Sequence, residues 1–290
     1  MASSEAAVEL EQVTKDFAVG LRGLRLRAVD RLNLRIGRGQ VYGLLGPNGS
    51  GKSTTIKLIL GLQNPTTGRC RVFGLSSGQV EARRMIGYLP ESPYFYCYLT
   101  GRELVRFYGR MAGLEGARLT SRVEEAMAWT GLADAADRRV GTYSKGMLQL
   151  IGLAQVLVHQ PELVILDEPT AGLDPAGVEA VHALILNLKS EGKTVLLTSH
   201  AQADIEAVCD RIAVLNRGRL IVESAVADLP AGHERQLLDV SNLPERELAE
   251  LRAWLAARGR TLDTVSPPRG RLDGLFPQAA GRSERENPWV

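Results

Sequence analysis

Apolar residues along this chain fall into two kinds of pattern. Near the start they alternate with polar ones: Val8-Glu9-Leu10-Glu11-Gln12-Val13-Thr14-Lys15 and Leu32-Asn33-Leu34-Arg35-Ile36 have the period of two expected of strands with one face in water. Leucine and arginine alternate from Leu21 to Arg27, which predicts an exposed ribbon or loop with no evident chemistry. Farther along, short unbroken apolar runs take over at Gln40–Leu45, Leu163–Leu166 and Thr194–Thr198. They are too short for helices and read as strands buried on both faces. Arg69–Phe73 and Ile86–Leu89 are two more strand candidates, and Ile212–Leu215 with Leu220–Val222, joined through Arg217-Gly218, predicts a terminal hairpin.

Helical signals lie between these strands. One helix follows Thr54 and stops near Gly61. Thr100-Gly101-Arg102-Glu103 is a capping box that opens a helical region reaching about Ala128, broken at Gly113–Gly116. Asp174-Pro175 offers an N-cap and an N1 proline; Val178, Val181, Leu184, Ile185 and Leu188 share one face, and Gly192 ends the helix. Strand–helix alternation with all-apolar strands predicts an α/β fold, a parallel sheet covered on both faces. The mostly helical stretch from about Glu91 to Val158 reads as an inserted subdomain. After it come a strand candidate at Gln236–Asn242, an amphipathic helix at Pro244–Arg258 with Leu248, Leu251 and Leu255 on one face, a strand candidate at Thr261–Val265, and a loose tail beyond Pro277.

Composition narrows the function only by exclusion. With 290 residues, 44% hydrophobic and 23% charged, the chain is long enough for a large core, and a net charge of +2 makes no case for nucleic acid as the main partner. Cys70, Cys97 and Cys209 form no C-x-x-C and read as free thiols in a reducing compartment. No apolar run is long enough to span a bilayer, and Met1–Glu5 does not open a signal peptide, so a soluble, cytoplasmic protein is expected.

The informative stretch is Gly46-Pro47-Asn48-Gly49-Ser50-Gly51-Lys52-Ser53-Thr54, a G-x-x-x-x-G-K-[ST] loop set between a buried strand and a helix. Its glycines let successive N–H groups turn inward around an anion, and the helix adds its positive end. Lys52 is placed to reach the β- and γ-phosphates of a nucleotide, and the Ser53 hydroxyl to ligate Mg²⁺. Asp167 and Glu168 end an apolar strand. Alone they are equally well a solvated pair; beside Lys52 they read as an Mg²⁺ ligand and a group that polarises the attacking water. Ligands on parallel sheets bind at the carboxyl ends of the strands, which puts the loop, Asp167-Glu168 and His200 at one edge.

Over about residues 8 to 225 the sequence resembles the nucleotide-binding subunits of ABC transporters, in the variant of ABC-2-type export ATPases. Besides the phosphate loop, Tyr143-Ser144-Lys145-Gly146-Met147 resembles the signature motif, Ala171-Gly172-Leu173-Asp174 the D-loop and His200 the switch histidine. The resemblance implies a P-loop NTPase (RecA-like) core with an N-terminal antiparallel β subdomain, an inserted helical subdomain (about 91–158) and a small C-terminal α/β appendage. An ATP-binding domain would occupy 1–228 and the extension 229–290, where Gly270–Phe276 also resembles similar export ATPases. It implies ATP and Mg²⁺ held by Gly46 to Thr54, with Ser53, Asp167 and Glu91 toward the metal, Glu168 and His200 as catalytic residues, and Phe17 stacked on adenine. Ser144, Gly146 and Asp174 would reach ATP bound to a second such chain, so that ATP joins two subunits and hydrolysis parts them. Separate membrane permease subunits would take up that motion, with the chain peripheral on the inner face of the cell membrane. Two positions depart from the broader family: Glu91 stands where a glutamine is usual, and Leu150 follows Gln149 where arginine is frequent. Rival readings are a soluble ABC ATPase of the translation or DNA-repair kind, which would carry two cassettes or long coiled coils, and a P-loop small-molecule kinase, for which no acceptor site is evident.

Overall fold

The computed structural model describes residues 6–19, 24–229 and 245–258. The chain divides into two units, Met1–Ala231 and Gly232–Val290. In the first, two sheets and a helical layer follow from the patterns above. The alternating segments form β1 (Ala6–Val19) and β2 (Leu24–Gly37), which pair antiparallel and join β4 (Thr67–Val72) and β5 (Leu75–Ser76) in a four-stranded sheet of order β2-β1-β4-β5. The leucine–arginine segment is the exposed ribbon of the two alternatives: from Leu24 onward it is regular strand paired with β1, because its period is two, and Leu26 is 59% exposed.

The apolar runs form a six-stranded sheet of β3 (Val41–Leu45), β6 (Ile86–Leu89), β7 (Leu163–Asp167), β8 (Thr194–Thr198), β9 (Arg211–Asn216) and β10 (Arg219–Ala225), in the order β10-β9-β3-β8-β7-β6. All its neighbours are parallel except β9 and β10, the hairpin at the edge. Each parallel strand sends alternate residues to opposite faces, so every face must be covered. Tyr42, Leu44, Ile165 and Leu196 pack with β1, β2 and the helix α1 (Lys52–Ile59). On the other face Val164, Leu166, Val195 and Leu197 meet α5 (Lys145–Leu157) and α6 (Pro175–Ser190). The short helix α7 (Gln202–Val208) adds Ile205 and Val208 to that face; with seven residues it is too brief for periodicity to announce it. A short helix α2 (Val80–Arg84) between β5 and β6 also escapes the sequence pattern.

Helices α3 (Gly101–Met111) and α4 (Gly116–Trp129) close a third core with α5, built on Leu104, Val105, Val123, Met127 and Ile151. The Thr100 capping box is present, with Thr100 Oγ1 accepting from Glu103 N and Glu103 Oε2 accepting from Thr100 N. Leu150 is partly buried against both this core and the sheet, a junction where an apolar side chain fills space and a guanidinium would need a partner. In the second unit only α8 (Glu245–Ala256) is described, with Leu248, Leu251 and Leu255 as its half-buried residues. The strand candidates at 236–242 and 261–265, the 270–276 segment and the tail beyond Pro277 lie outside the described residues.

Candidate functional site

The loop between β3 and α1 takes its shape from two glycines. Gly46 sits at φ +145° and Gly51 at +107°; a Cβ at Gly46 would collide with Leu215 O, and one at Gly51 would lie 2.7 Å from Ala28 O. The loop is thereby pressed between the β2 and β9 backbones. Gly218, in the β9–β10 turn, donates its N–H to Ser50 O at 2.8 Å and accepts from Asp30 N at 2.9 Å, which braces the loop from outside. No side chain caps α1, so its first N–H groups face the loop. Lys52, only 8% exposed, folds back so that Nζ donates to Gly46 O at 2.5 Å and Pro47 O at 3.3 Å. Burial lowers its pKa, opposed by the carboxylates of Glu168 and Asp167. Ser50 Oγ is buried with no hydrogen-bond partner, a polar group left for something else.

Two strand ends meet this loop. Asp167 closes β7 and Thr198 closes β8, and the pair is in register. Thr198 Oγ1 donates to Asp167 Oδ1 at 2.6 Å and accepts from Glu168 N at 2.9 Å, so one hydroxyl ties the Asp167 carboxylate to the Glu168 backbone. Glu168 is held at φ +51°, a left-handed conformation that costs a non-glycine residue about 1–2 kcal/mol. That twist turns the carboxylate out of the strand line toward His200, whose N–H donates to Oε2 at 3.2 Å while Nε2 lies 3.1 Å from Oε1. Burial raises the pKa of Glu168; His200 and Lys52 oppose the shift and Asp167 adds to it.

These parts line a single open cleft of about 360 Å³, formed by Phe17, Leu26, Arg27, Ala28, Asn48 to Thr54, Glu91, Asp167, Glu168 and His200. Of the residues singled out in the sequence, Gly46 and Pro47 form the loop's entry and hold Lys52, while the rest of the loop, Phe17, Glu91, Asp167, Glu168 and His200 face the cleft. Ser144, Gly146 and Asp174 do not line it. Ser144 is exposed and caps α5, accepting from Met147 N at 3.3 Å; Asp174 caps α6, accepting from Gly177 N at 3.0 Å. The sequence reading missed Leu26 and Arg27, which it left without chemistry, and Thr198. Leu26 is the cross-strand partner of Phe17; its alternation with arginine marks it for one face of a strand, but only the β1–β2 pairing sets it beside Phe17. A threonine at a strand end gives no comparable signal.

A test of the metal set is possible from its donors. Among the described residues no group of three or more His, Cys, Asp or Glu could hold an ion. Ser53, Asp167 and Glu91 nevertheless share the cleft and offer hard oxygen atoms. That is too few for a self-sufficient cage and right for Mg²⁺ that also takes phosphate oxygens from a nucleotide.

A phosphate loop between a parallel strand and its helix, with acids at the neighbouring strand ends, defines a P-loop nucleotide-binding protein. Comparison narrows the class. The ABC transporter family model matches residues 29–171. An ABC transporter ATP-binding protein of Synechocystis is 38% identical over 230 residues, covering 78% of this chain and 65% of the relative. A fluoroquinolones export ATP-binding protein of Mycobacterium tuberculosis is 34% identical over 285 residues, covering 91% of this chain and 93% of the relative. Among solved structures, a dimeric ATP-binding cassette in a post-hydrolysis state bound to ADP and Pi superposes with TM-score 0.68 at 27% identity, covering 76% of this chain and 98% of that one. The chain belongs to the ABC transporter family of ATP-binding proteins. It spans 65% and 59% of the lengths of two cyanobacterial relatives.

Proposed function

We propose that this chain is the ATP-binding and hydrolysing subunit of an ABC exporter, and that its complete catalytic site is shared between two copies. The observation that carries the reading is the split described above: Lys52, Ser53, Asp167, Glu168 and His200 share one cleft, while Ser144 is not among its lining residues and is exposed at a helix start. In this reading the loop N–H groups and Lys52 hold the β- and γ-phosphates, and the adenine stacks on Phe17 beside Leu26. Ser53, Asp167 and Glu91 are the residues that would hold Mg²⁺, whose contribution when bound is to offset phosphate charge. Glu168 orients a water against the γ-phosphorus and takes up its proton. A raised pKa makes a carboxylate the stronger base, so burial serves that role. The bond between the γ-phosphorus and the bridging oxygen breaks, leaving ADP and inorganic phosphate. His200, linked to Glu168 by its backbone N–H, keeps the imidazole at the γ-phosphate.

The signature turn supplies the second half. Ser144 Oγ accepts from Met147 N, so its own proton is free to donate to a phosphate held by another chain. Two nucleotides then join two chains, and their hydrolysis releases them. Export rather than import is supported by the name of the Mycobacterium relative. A membrane partner is supported by exposed large hydrophobic side chains on the helical segment 91–158, where Tyr94 is 86%, Tyr98 70% and Met111 70% exposed. No helix among the described residues is long and apolar enough to cross a membrane. In this reading the permease is a separate chain, with this one on the cytoplasmic face. The experiment is Mg²⁺-dependent ATP hydrolysis by the wild-type chain against Lys52→Ala. Turnover abolished by the substitution supports the reading, and equal rates contradict it. Retention of the chain by an integral membrane protein in a solubilised membrane fraction tests the transporter half.

A further inference from the structure

One buried carboxylate has no place in the account so far. Asp204, on α7, is 6% exposed and collects three donors from three other elements. Its Oδ2 accepts from Thr170 Oγ1 at 2.5 Å and from Ser199 Oγ at 2.9 Å, and its Oδ1 lies 2.9 Å from His182 Nε2. The positions of those donors are informative. Thr170 is two residues after Glu168 and opens the segment that runs to Asp174. Ser199 immediately precedes His200, and its Oγ also accepts from Ala201 N at 3.0 Å, so it grips the chain on both sides of the histidine. His182 lies on α6, the helix that Asp174 caps.

Stability alone accounts poorly for this arrangement. A buried carboxylate costs several kcal/mol in desolvation, and a well-packed apolar side chain would hold α7 as firmly. A charged acceptor with three directed partners instead fixes relative positions, since each bond fails if one element shifts by an ångström. We propose that Asp204 is a positioning residue which locks the Thr170–Asp174 segment to His200, so that a second chain's contact with that segment sets the hydrolytic geometry at Glu168 and His200. This rests on the functional reading above and adds to it a link between the outward-facing segment and the chemistry. Asp204 itself is not among the residues that line the cleft.

The full chain would be purified as wild type, Asp204→Ala, Asp204→Asn, Thr170→Val and the Asp204→Ala/Thr170→Val double variant. Steady-state ATP hydrolysis would be measured beside the affinity for a fluorescent ATP analogue. Asp204→Ala should lower kcat at least tenfold, about 1.4 kcal/mol of barrier, with nucleotide affinity within twofold of wild type. Asp204→Asn keeps one acceptor oxygen and should fall between. Thr170→Val preserves shape and should lower kcat about three- to tenfold; the double variant should lose no more than Asp204→Ala alone, because one linkage is broken in both. If Asp204→Ala does not fold, Asp204→Asn and Thr170→Val decide. Rates within twofold of wild type in both overturn the proposal, as does a loss of nucleotide affinity that parallels the loss of kcat. A wild-type chain that hydrolyses no ATP overturns the functional reading and this inference with it; an active wild type matched by its variants overturns this inference alone.

Discussion

Two helices of this protein begin with turns that could hold a phosphate, and they are finished in opposite ways. The start of α1 follows Gly51 at φ +107°, has no side-chain cap, and is closed over by its own chain: a buried Lys52, a bracing turn at Gly218, and Asp167, Glu168 and His200 at or just past the ends of β7 and β8. The start of α5 is capped by Ser144, which is exposed. Beside the first, Ser50 Oγ is buried without a protein hydrogen-bond partner. The second is stable as it stands. In the proposed function the two starts are two half-sites, the first holding a nucleotide and the second meeting one held by another chain.

The comparison breaks hardest at Lys52. Lys52→Ala should weaken ATP binding by about 100-fold or more, since a charge-assisted contact to two phosphates is lost; calorimetric titration of ATP reads this directly. Next comes the chemistry between the strands. Glu168→Gln should cut turnover by about 10²–10³-fold, in the range of a lost general base, with ATP affinity retained, and a phosphate-release assay against equilibrium binding separates the two. A sharper probe is Ser144→Asp. Aspartate caps a helix as well as serine does, so melting should be unchanged, but its charge would face the partner's phosphates; kcat should fall at least tenfold while ATP affinity of the single chain stays within twofold.

The smallest effect concerns stability without nucleotide. The folded pKa of Glu168 is raised by burial, so its ionisation destabilises the fold as pH rises through that folded value, and the penalty is absent below the ordinary carboxylate value of 4.5. Glu168→Gln should therefore raise the melting temperature at neutral pH by about 2–4 °C, roughly 1 kcal/mol for a chain of this size, and the gain should vanish as pH falls to that value. An equal gain at both pH values would mean that ionisation of Glu168 is not its cause.

Much of this was legible in the residues. All-apolar runs of four or five residues gave the parallel strands because both faces are covered, and Asp174-Pro175 marked the start of α6 because both residues act locally. The cleft could be assembled from three distant segments because parallel strands end at one edge. Residues whose role depends on a tertiary neighbour stayed hidden. Leu26 reads as a stray leucine until β2 pairs with β1, and Thr198 reads as a strand terminus until its hydroxyl is seen between Asp167 and Glu168. Asp204 resembles any acid on a short helix, and only its three donors distinguish it. The positive φ of Glu168 is equally silent in sequence, because it comes from the turn that aims the carboxylate and not from a residue type that favours it.

The central claim is that two chains share each site, and the mass of the nucleotide-bound protein tests it most directly. Light scattering of Glu168→Gln with ATP and Mg²⁺ should show a rise from the 31.5 kDa of one chain to twice that value. The same protein carrying Ser144→Asp should remain at one chain's mass while binding ATP equally well. A double variant that still doubles its mass with ATP, or a Glu168→Gln chain that stays single at saturating ATP, would contradict the account.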